Sequence, residues 1–262
     1  MMKILTSLLL SLVSASLLAQ DELPRLELGA GLFALSAPDY RGSSESDTYL
    51  LPVPYIKYRG DVLRVDEGVQ GVVFESPQWL FTLSADFSLP ADDDTPEREG
   101  MEELDAVFEI GPSLNYRIKA LPNSAWWIDL PLRFVYAIDS KHEFIGRVFQ
   151  PRLSWRKPAK RLGEWKLHFL VGPVYSNEQH HAYFYSVADD EVTATRPAYD
   201  ADAGFSGYRA EFTYSKRFGD YWLGGFIRYD NLDDSEIDDS PLVSETESWM
   251  GGIALAWVFH QK

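Results

Sequence analysis

The chain has 262 residues, with 40 acidic against 24 basic side chains, a net charge of −16 at pH 7 and no cysteine. Such a charge excludes nucleic acid as a partner, because its phosphates would be repelled. The lack of cysteine excludes a disulfide framework and the lipid anchor of a bacterial lipoprotein.

The first element is removable. Lys3 gives a short positive region, and Ile4 to Leu18 is apolar apart from small hydroxylated residues. The run is shorter than the ~20 residues of a spanning helix. It predicts a signal peptide over 1–19, ending at Ala19, rather than an uncleaved anchor, and a single domain over 20–262. After Ala19 no segment is long and apolar enough for a transmembrane helix. The mean hydropathy of −0.22 and the aromatic content of 14% suit a membrane barrel, in which every second residue meets lipid.

Twelve strands follow, near 26–35, 49–58, 62–66, 70–75, 79–89, 104–118, 126–138, 145–156, 165–175, 207–217, 221–230 and 249–259. The fifth is the plainest. Trp79, Phe81, Leu83, Ala85, Phe87 and Leu89 fall on one face, while Leu80, Thr82, Ser84, Asp86 and Ser88 fall on the other. An even number of strands returns both termini to one side. The fold class predicted is all-β: a closed antiparallel transmembrane β-barrel exported to the outer membrane of a Gram-negative cell.

Connections alternate in length. Short ones at Arg59-Gly60-Asp61, Ser76-Pro77-Gln78, Lys119 to Ala125, Lys157 to Glu164 and Phe218-Gly219-Asp220 read as periplasmic turns. The other set, which includes long segments at 37–48, 90–103, 176–206 and 231–248, reads as extracellular loops and carries an acidic crown with Asp92, Asp93 and Asp94. Aromatic residues mark both ends of the lipid-facing register. Trp79, Trp126, Trp165, Tyr221, Tyr116, Trp155, Tyr214, Trp257 and Phe259 form a periplasmic belt. Tyr136, Tyr175, Tyr208, Tyr229 and Trp249 form the outer one. Pro112, Pro151 and Pro173 fall inside strands and predict bulges or kinks. Arg147 lands on the lipid face near a loop end, within reach of water by snorkelling. The last strand, from Trp249 to Phe259, resembles the C-terminal signal read by outer-membrane assembly machinery, with the departure that His260, Gln261 and Lys262 follow it.

Several local patterns occur in order. They are Pro38-Asp39-Tyr40-Arg41-Gly42-Ser43, Leu51-Pro52-Val53-Pro54-Tyr55, Tyr58-Arg59-Gly60, Gly111-Pro112-Ser113-Leu114-Asn115-Tyr116-Arg117, Ala182-Tyr183-Phe184-Tyr185-Ser186-Val187 ahead of Tyr199 and Gly204, and Asp239-Ser240-Pro241-Leu242-Val243. Together they cover almost the whole mature chain, which resembles the MipA/OmpV family of Gram-negative outer-membrane proteins. That resemblance implies an outer-membrane barrel. The family is named for a member that binds a murein-cleaving lytic transglycosylase and is viewed as a scaffold for murein-synthesising complexes; other members are described as porin-like or adhesive. The partners implied are outer-membrane lipid, lipopolysaccharide and a murein hydrolase or synthase. The family has no established catalytic residues to carry over.

The inward register collects charges of both signs. Asp86, Asp105, Glu109, Asp129 and Glu211 are the acids; Arg117, Arg133, Arg152, Arg156, Lys166, Arg209 and Arg228 are the bases, with His168 among them. They either fill a small lumen as ion pairs or line a narrow channel that selects solutes. Trp127, Trp222 and Phe226 point the same way and would narrow a pore. Lys157, Lys160, Arg161, Lys216 and Arg217 form a basic periplasmic set suited to a partner protein. His180, His181 and Glu178 share one loop, which leaves an outer-membrane hydrolase as the weaker alternative, but no nucleophile and base occur with a catalytic signature, so no enzymatic activity, cofactor or metal site is expected. The acidic loops read as a solvated surface, with cation-bridged contact to lipopolysaccharide as the alternative.

Overall fold

The computed structural model describes residues 23–66, 68–88 (backbone alone at 86–88), 95–138 and 143–262. The signal-peptide expectation for 1–19 and the acids Asp92, Asp93 and Asp94 lie outside the described residues. The strands are β1 (Leu26–Pro38), β2 (Ser46–Arg59), β3 (Leu63–Val65), β4 (Val69–Glu75), β5 (Trp79–Ser88), β6 (Val107–Ala120) and β7 (Ala125–Ala137). Then come β8 in two pieces (Phe144–Phe149 and Arg152–Lys157), β9 (Lys166–Ser176), β10 (Gly204–Phe218), β11 (Tyr221–Asn231) and β12 (Glu247–Gln261). Each pairs antiparallel with its neighbours in sequence, and β12 pairs with β1, which closes a ring of twelve. Closure gives every strand a partner on each side, as a sheet in hydrocarbon requires, although β2 meets β3 over its last rungs alone.

Alternation sets the two faces. On β12, Trp249, Ile253, Leu255, Trp257 and Phe259 are exposed on the outside, while Ala256 and Val258 are buried within. The aromatic belts are formed as expected. Trp79 meets Tyr116 with ring centroids 4.6 Å apart at the short-turn end, and Tyr229 meets Trp249 at 4.8 Å at the loop end. Pro151 splits β8, and the register of β9 on β10 shifts after Pro173. Pro112 keeps its place opposite Leu83 on β5, while the rungs toward β7 lapse between Ile110 and Ser113.

Two features were not expected. The segment after β9 contains a helix, α1 (Glu178–Tyr185). With the neighbouring loops it forms a buried core of Tyr40, Leu104, Tyr185, Ala201, Leu232 and Ile237 over the outer mouth. Tyr183 and Phe184 pack on that core and also on Val107, Val135, Ala137 and Ile145 of the barrel rim. Gly146 makes this seat possible. Its φ is +137°, and a Cβ there would stand 2.6 Å from His180. The second feature is that the wall is low at one place. β3 meets β2 only at Tyr58 and Arg59, while β2 continues upward to Ser46.

Candidate functional site

The lumen is organised in three tiers. At the periplasmic end Glu27 on β1 is fully buried. Arg59 reaches its carboxylate at 2.6 Å, Arg217 at 3.4 Å, and the Tyr55 hydroxyl donates to it at 3.2 Å. Lys57 Nζ lies 2.7 Å from Asp66 and 5.1 Å from the centre of the Trp222 ring. Lys166 Nζ reaches the other oxygen of Asp66 at 2.6 Å. Sequence reasoning missed Glu27, Lys57, Arg59 and Asp66. The inward parity of β1 and β2 would have found the first three.

The middle tier holds Asp129, also fully buried. Arg156 Nη2 is 2.7 Å from Oδ1, Ser154 Oγ donates to Oδ2 at 2.7 Å, and Arg152 lies 3.8 Å away. Arg117 and Arg156 flank the Trp127 ring at 5.4 and 5.0 Å. Such stacking holds guanidinium groups flat against an aromatic face. Arg133 donates to Ser84 Oγ at 2.8 Å and to the Gly111 carbonyl at 3.3 Å. Higher still, Arg228 pairs with Glu211 at 2.8 Å, and Arg209 and Arg41 both reach Asp230 Oδ1 at 2.9 Å. A carboxylate shared by two guanidinium groups gains charge-assisted bonds that offset part of its desolvation.

The upper tier is the cap. Arg41 donates to the Ser206 carbonyl at 2.7 Å, and the Tyr185 hydroxyl donates to the Arg41 carbonyl at 2.8 Å. Burial pushes the Tyr185 hydroxyl up to about 12, so it stays a neutral donor. His181 is fully buried, with Nδ1 on the Asp202 carbonyl and Nε2 on the Ser206 hydroxyl. Both ring nitrogens are satisfied in the neutral form, with the proton on Nδ1.

The inward set is therefore brought together in the main. Glu109 and His168 stand on the inward faces of β6 and β9, and Asp86 occupies the rung opposite Glu109. Asp105 departs from it. The strand begins at Val107, and the Asp105 backbone N–H donates to the Tyr183 hydroxyl at 3.1 Å, so this residue belongs to the cap. The basic periplasmic set divides three ways. Lys157, Lys160 and the exposed Arg161 share the β8–β9 turn. Lys216 lies on the outside over the rings of Trp165 and Phe218, at 5.3 and 4.9 Å. Arg217 points inward to Glu27 and is unavailable to a periplasmic partner.

At that turn Lys160 Nζ donates to the Pro122 carbonyl at 3.1 Å and to Asn123 Oδ1 at 3.2 Å. Its backbone N–H donates to Glu164 at 2.9 Å, and Lys157 Nζ donates to the Trp165 carbonyl at 3.1 Å. Two adjacent turns are thereby tied around a cleft of about 250 Å³ lined by Asn123, Lys157, Pro158, Lys160, Glu164 and Trp165. Among the described residues, no group of three or more His, Asp or Glu side chains is placed to hold a metal ion.

The sequence is similar to those of known outer-membrane proteins. The outer membrane protein OmpV of Vibrio cholerae is 30% identical over 101 residues, a stretch that makes up 37% of this chain but only 38% of that relative. The outer membrane protein YiaT of Escherichia coli O157:H7 is 22% identical over 264 residues, 96% of this chain and 98% of YiaT. Among solved structures, an outer membrane channel of Pseudomonas putida F1 aligns at 13% identity and a TM-score of 0.42, over 92% of this chain and 98% of that one. Both relatives are outer-membrane proteins, and with its closed ring of strands this chain is one too. The family model described as MltA-interacting protein MipA matches residues 30–259, from β1 through to the outward Phe259 of β12, and the chain belongs to that family.

Proposed function

We propose that this barrel is a scaffold that holds a murein-remodelling enzyme against the periplasmic surface of the outer membrane. The observation that carries this reading is the cleft beside Trp165, where Lys160 ties the β6–β7 turn to the β8–β9 turn. Preorganised turns lose little conformational freedom on docking, and an aromatic ring beside two ammonium groups suits an acidic, partly apolar partner segment. The family description, which names an interaction with MltA, supports the same reading. An axial diffusion channel has less support. The Lys166–Asp66 bridge crosses the lumen, and the loop core covers the outer mouth.

Affinity capture with the full chain from detergent extracts tests the proposal. Wild type should recover a murein hydrolase or synthase, and the Lys157→Glu, Lys160→Glu double variant should reduce recovery at least tenfold. Equal recovery by both proteins would refute it. Conductance steps in a planar bilayer from the same preparation would favour the channel.

A further inference from the structure

The low stretch of wall has an edge whose chemistry can be read rung by rung. Arg59 donates its backbone N–H to the Arg25 carbonyl at 2.8 Å, so the odd-numbered residues of β2 bond toward β1. Its even-numbered residues point their backbone groups the other way. On that side, among the described residues, β3 covers only the Tyr58 and Arg59 rungs, and no strand covers Ser46 to Lys57. The β3–β4 hairpin turns over at Asp66 to Gly68, and the far side of the opening is β5, whose Ala85 is level with Val69. β2 and β5 are three strand spacings apart, about 14 Å.

Pro52 and Pro54 are both even-numbered. Two successive rungs of this edge therefore present carbonyl oxygens and no N–H. A strand docking here would forfeit two hydrogen bonds in a row, which is how natural sheets protect an edge from pairing. Bare carbonyls facing hydrocarbon are costly, so the edge needs a donor other than a strand. Outside, Leu50 and Ile56 are 68% and 48% exposed, which places the opening within the lipid-facing band.

Behind the edge lies an interior with two unlike walls. Phe33, Leu51, Val53 and Phe226 face inward and are only half-buried. Phe33 and Phe226 come together over Gly252, where a Cβ would stand 2.5 and 2.9 Å from the two rings. The facing wall carries Arg133 on β7 and Arg152 on β8, and the Arg228–Glu211 pair borders the apolar side, with the Arg228 guanidinium 5.8 Å from the centre of the Phe226 ring. Below is the Asp66 bridge, and above is the cap. With both ends obstructed, the wall is the accessible side.

We propose that the low β3–β4 hairpin leaves a lateral portal, through which the apolar chain of a membrane amphiphile enters the barrel. The chain lies along Phe33, Leu51, Val53 and Phe226. Hydrogen-bond donors of its polar head meet the carbonyls of β2, and head acceptors meet the arginine wall. This assignment is independent of the scaffold reading.

The chain has no cysteine, so single cysteines report cleanly. Val53→Cys and Thr213→Cys both face inward, but Thr213 sits between fully paired strands. In proteoliposomes, a long-chain alkyl maleimide confined to the bilayer should label Val53→Cys at least tenfold faster than Thr213→Cys, and at a rate near that of outward-facing Leu50→Cys. Equal slow labelling at both inward positions would overturn the portal. So would protection of Val53→Cys by a dimer that forms as protein concentration rises, since that assigns the edge to a second copy. Heat-modifiable migration on gels confirms folding, and Leu51→Cys replaces Val53→Cys if the latter fails to fold.

Discussion

Asp66 and Lys166 are joined at 2.6 Å across the barrel. Lys166 opens β9 and Asp66 tops β3; strands six places apart in a ring of twelve face each other across the diameter. The tip of the low hairpin is thus tethered to the opposite wall, with Lys57 holding it from β2 at 2.7 Å. Asp66→Asn would leave the Lys57 ammonium, whose side chain is 8% exposed, without its carboxylate. Loss of one partner from a fully buried pair costs about 3–5 kcal/mol. The partial exposure of Asp66 brings the expectation down to about 2 kcal/mol. The unfolding temperature in detergent, followed by heat-modifiable gel migration, should fall by several degrees.

The strands were legible because a period of two is local. Each long strand can be read from its own ten or so residues, whereas β3 and β4 offer fewer, and Pro151 marks the break in β8. Which inward charges meet was not legible. Asp66 and Lys166 are 100 residues apart in sequence, and their contact depends on how many strands separate them around the ring. Arg41 and Asp105 lie in loops, where parity says nothing. α1 escaped notice because its residues, Glu178–Tyr185, carry no sustained apolar stripe; tertiary packing of Tyr183, Phe184 and Tyr185 holds it, not amphipathic periodicity. Pro52 and Pro54 were visible in the sequence, but they mark a protected edge only once β3 is known to stop at Val65.

Gly146 should tolerate no side chain. At φ +137° an L-residue is strained, and the new Cβ would collide with His180 and Asn177, each at 2.6 Å. Gly146→Ala is expected to cost about 2 kcal/mol locally and to lift α1 from the rim while leaving the barrel closed. Protease added outside intact cells should then nick the 177–203 segment faster than in the native chain.

Acid should loosen the same cap. Burial holds the imidazole of His181 below its ordinary value, with the Asp202 carbonyl opposing the shift. Burial and the adjacent His181 bring His180 down to about 3. A histidine whose folded pKa lies below its unfolded value of about 6.5 binds fewer protons when folded. Its contribution is complete above pH 6.5 and is lost as pH falls below that, by up to about 1.4 kcal/mol per pH unit for each group. The protection factors of the α1 amides, taken against the intrinsic exchange rate at each pH, should fall from pH 7 to pH 5, and the His180→Gln, His181→Gln double variant should show a flatter profile. An unchanged slope in that variant would assign the acid response elsewhere.

The edge prolines give the sharpest contrast between sequence and behaviour. Pro52→Val with Pro54→Val keeps the lipid-facing positions apolar and adds two N–H donors on the uncovered side of β2. Internal pairing toward β1 is untouched, because those rungs are the odd-numbered ones. The variant barrel should therefore fold, yet it should now present a continuous pairing edge. Each regained edge hydrogen bond is worth about 1 kcal/mol net in water, and more where lipid is the alternative. Two β2 edges meeting antiparallel would gain several such bonds at once. Size-exclusion chromatography in detergent should show a concentration-dependent dimer for the double variant and a monomer for the native chain. A monomer in both would mean that something other than the missing donors keeps this edge unpaired.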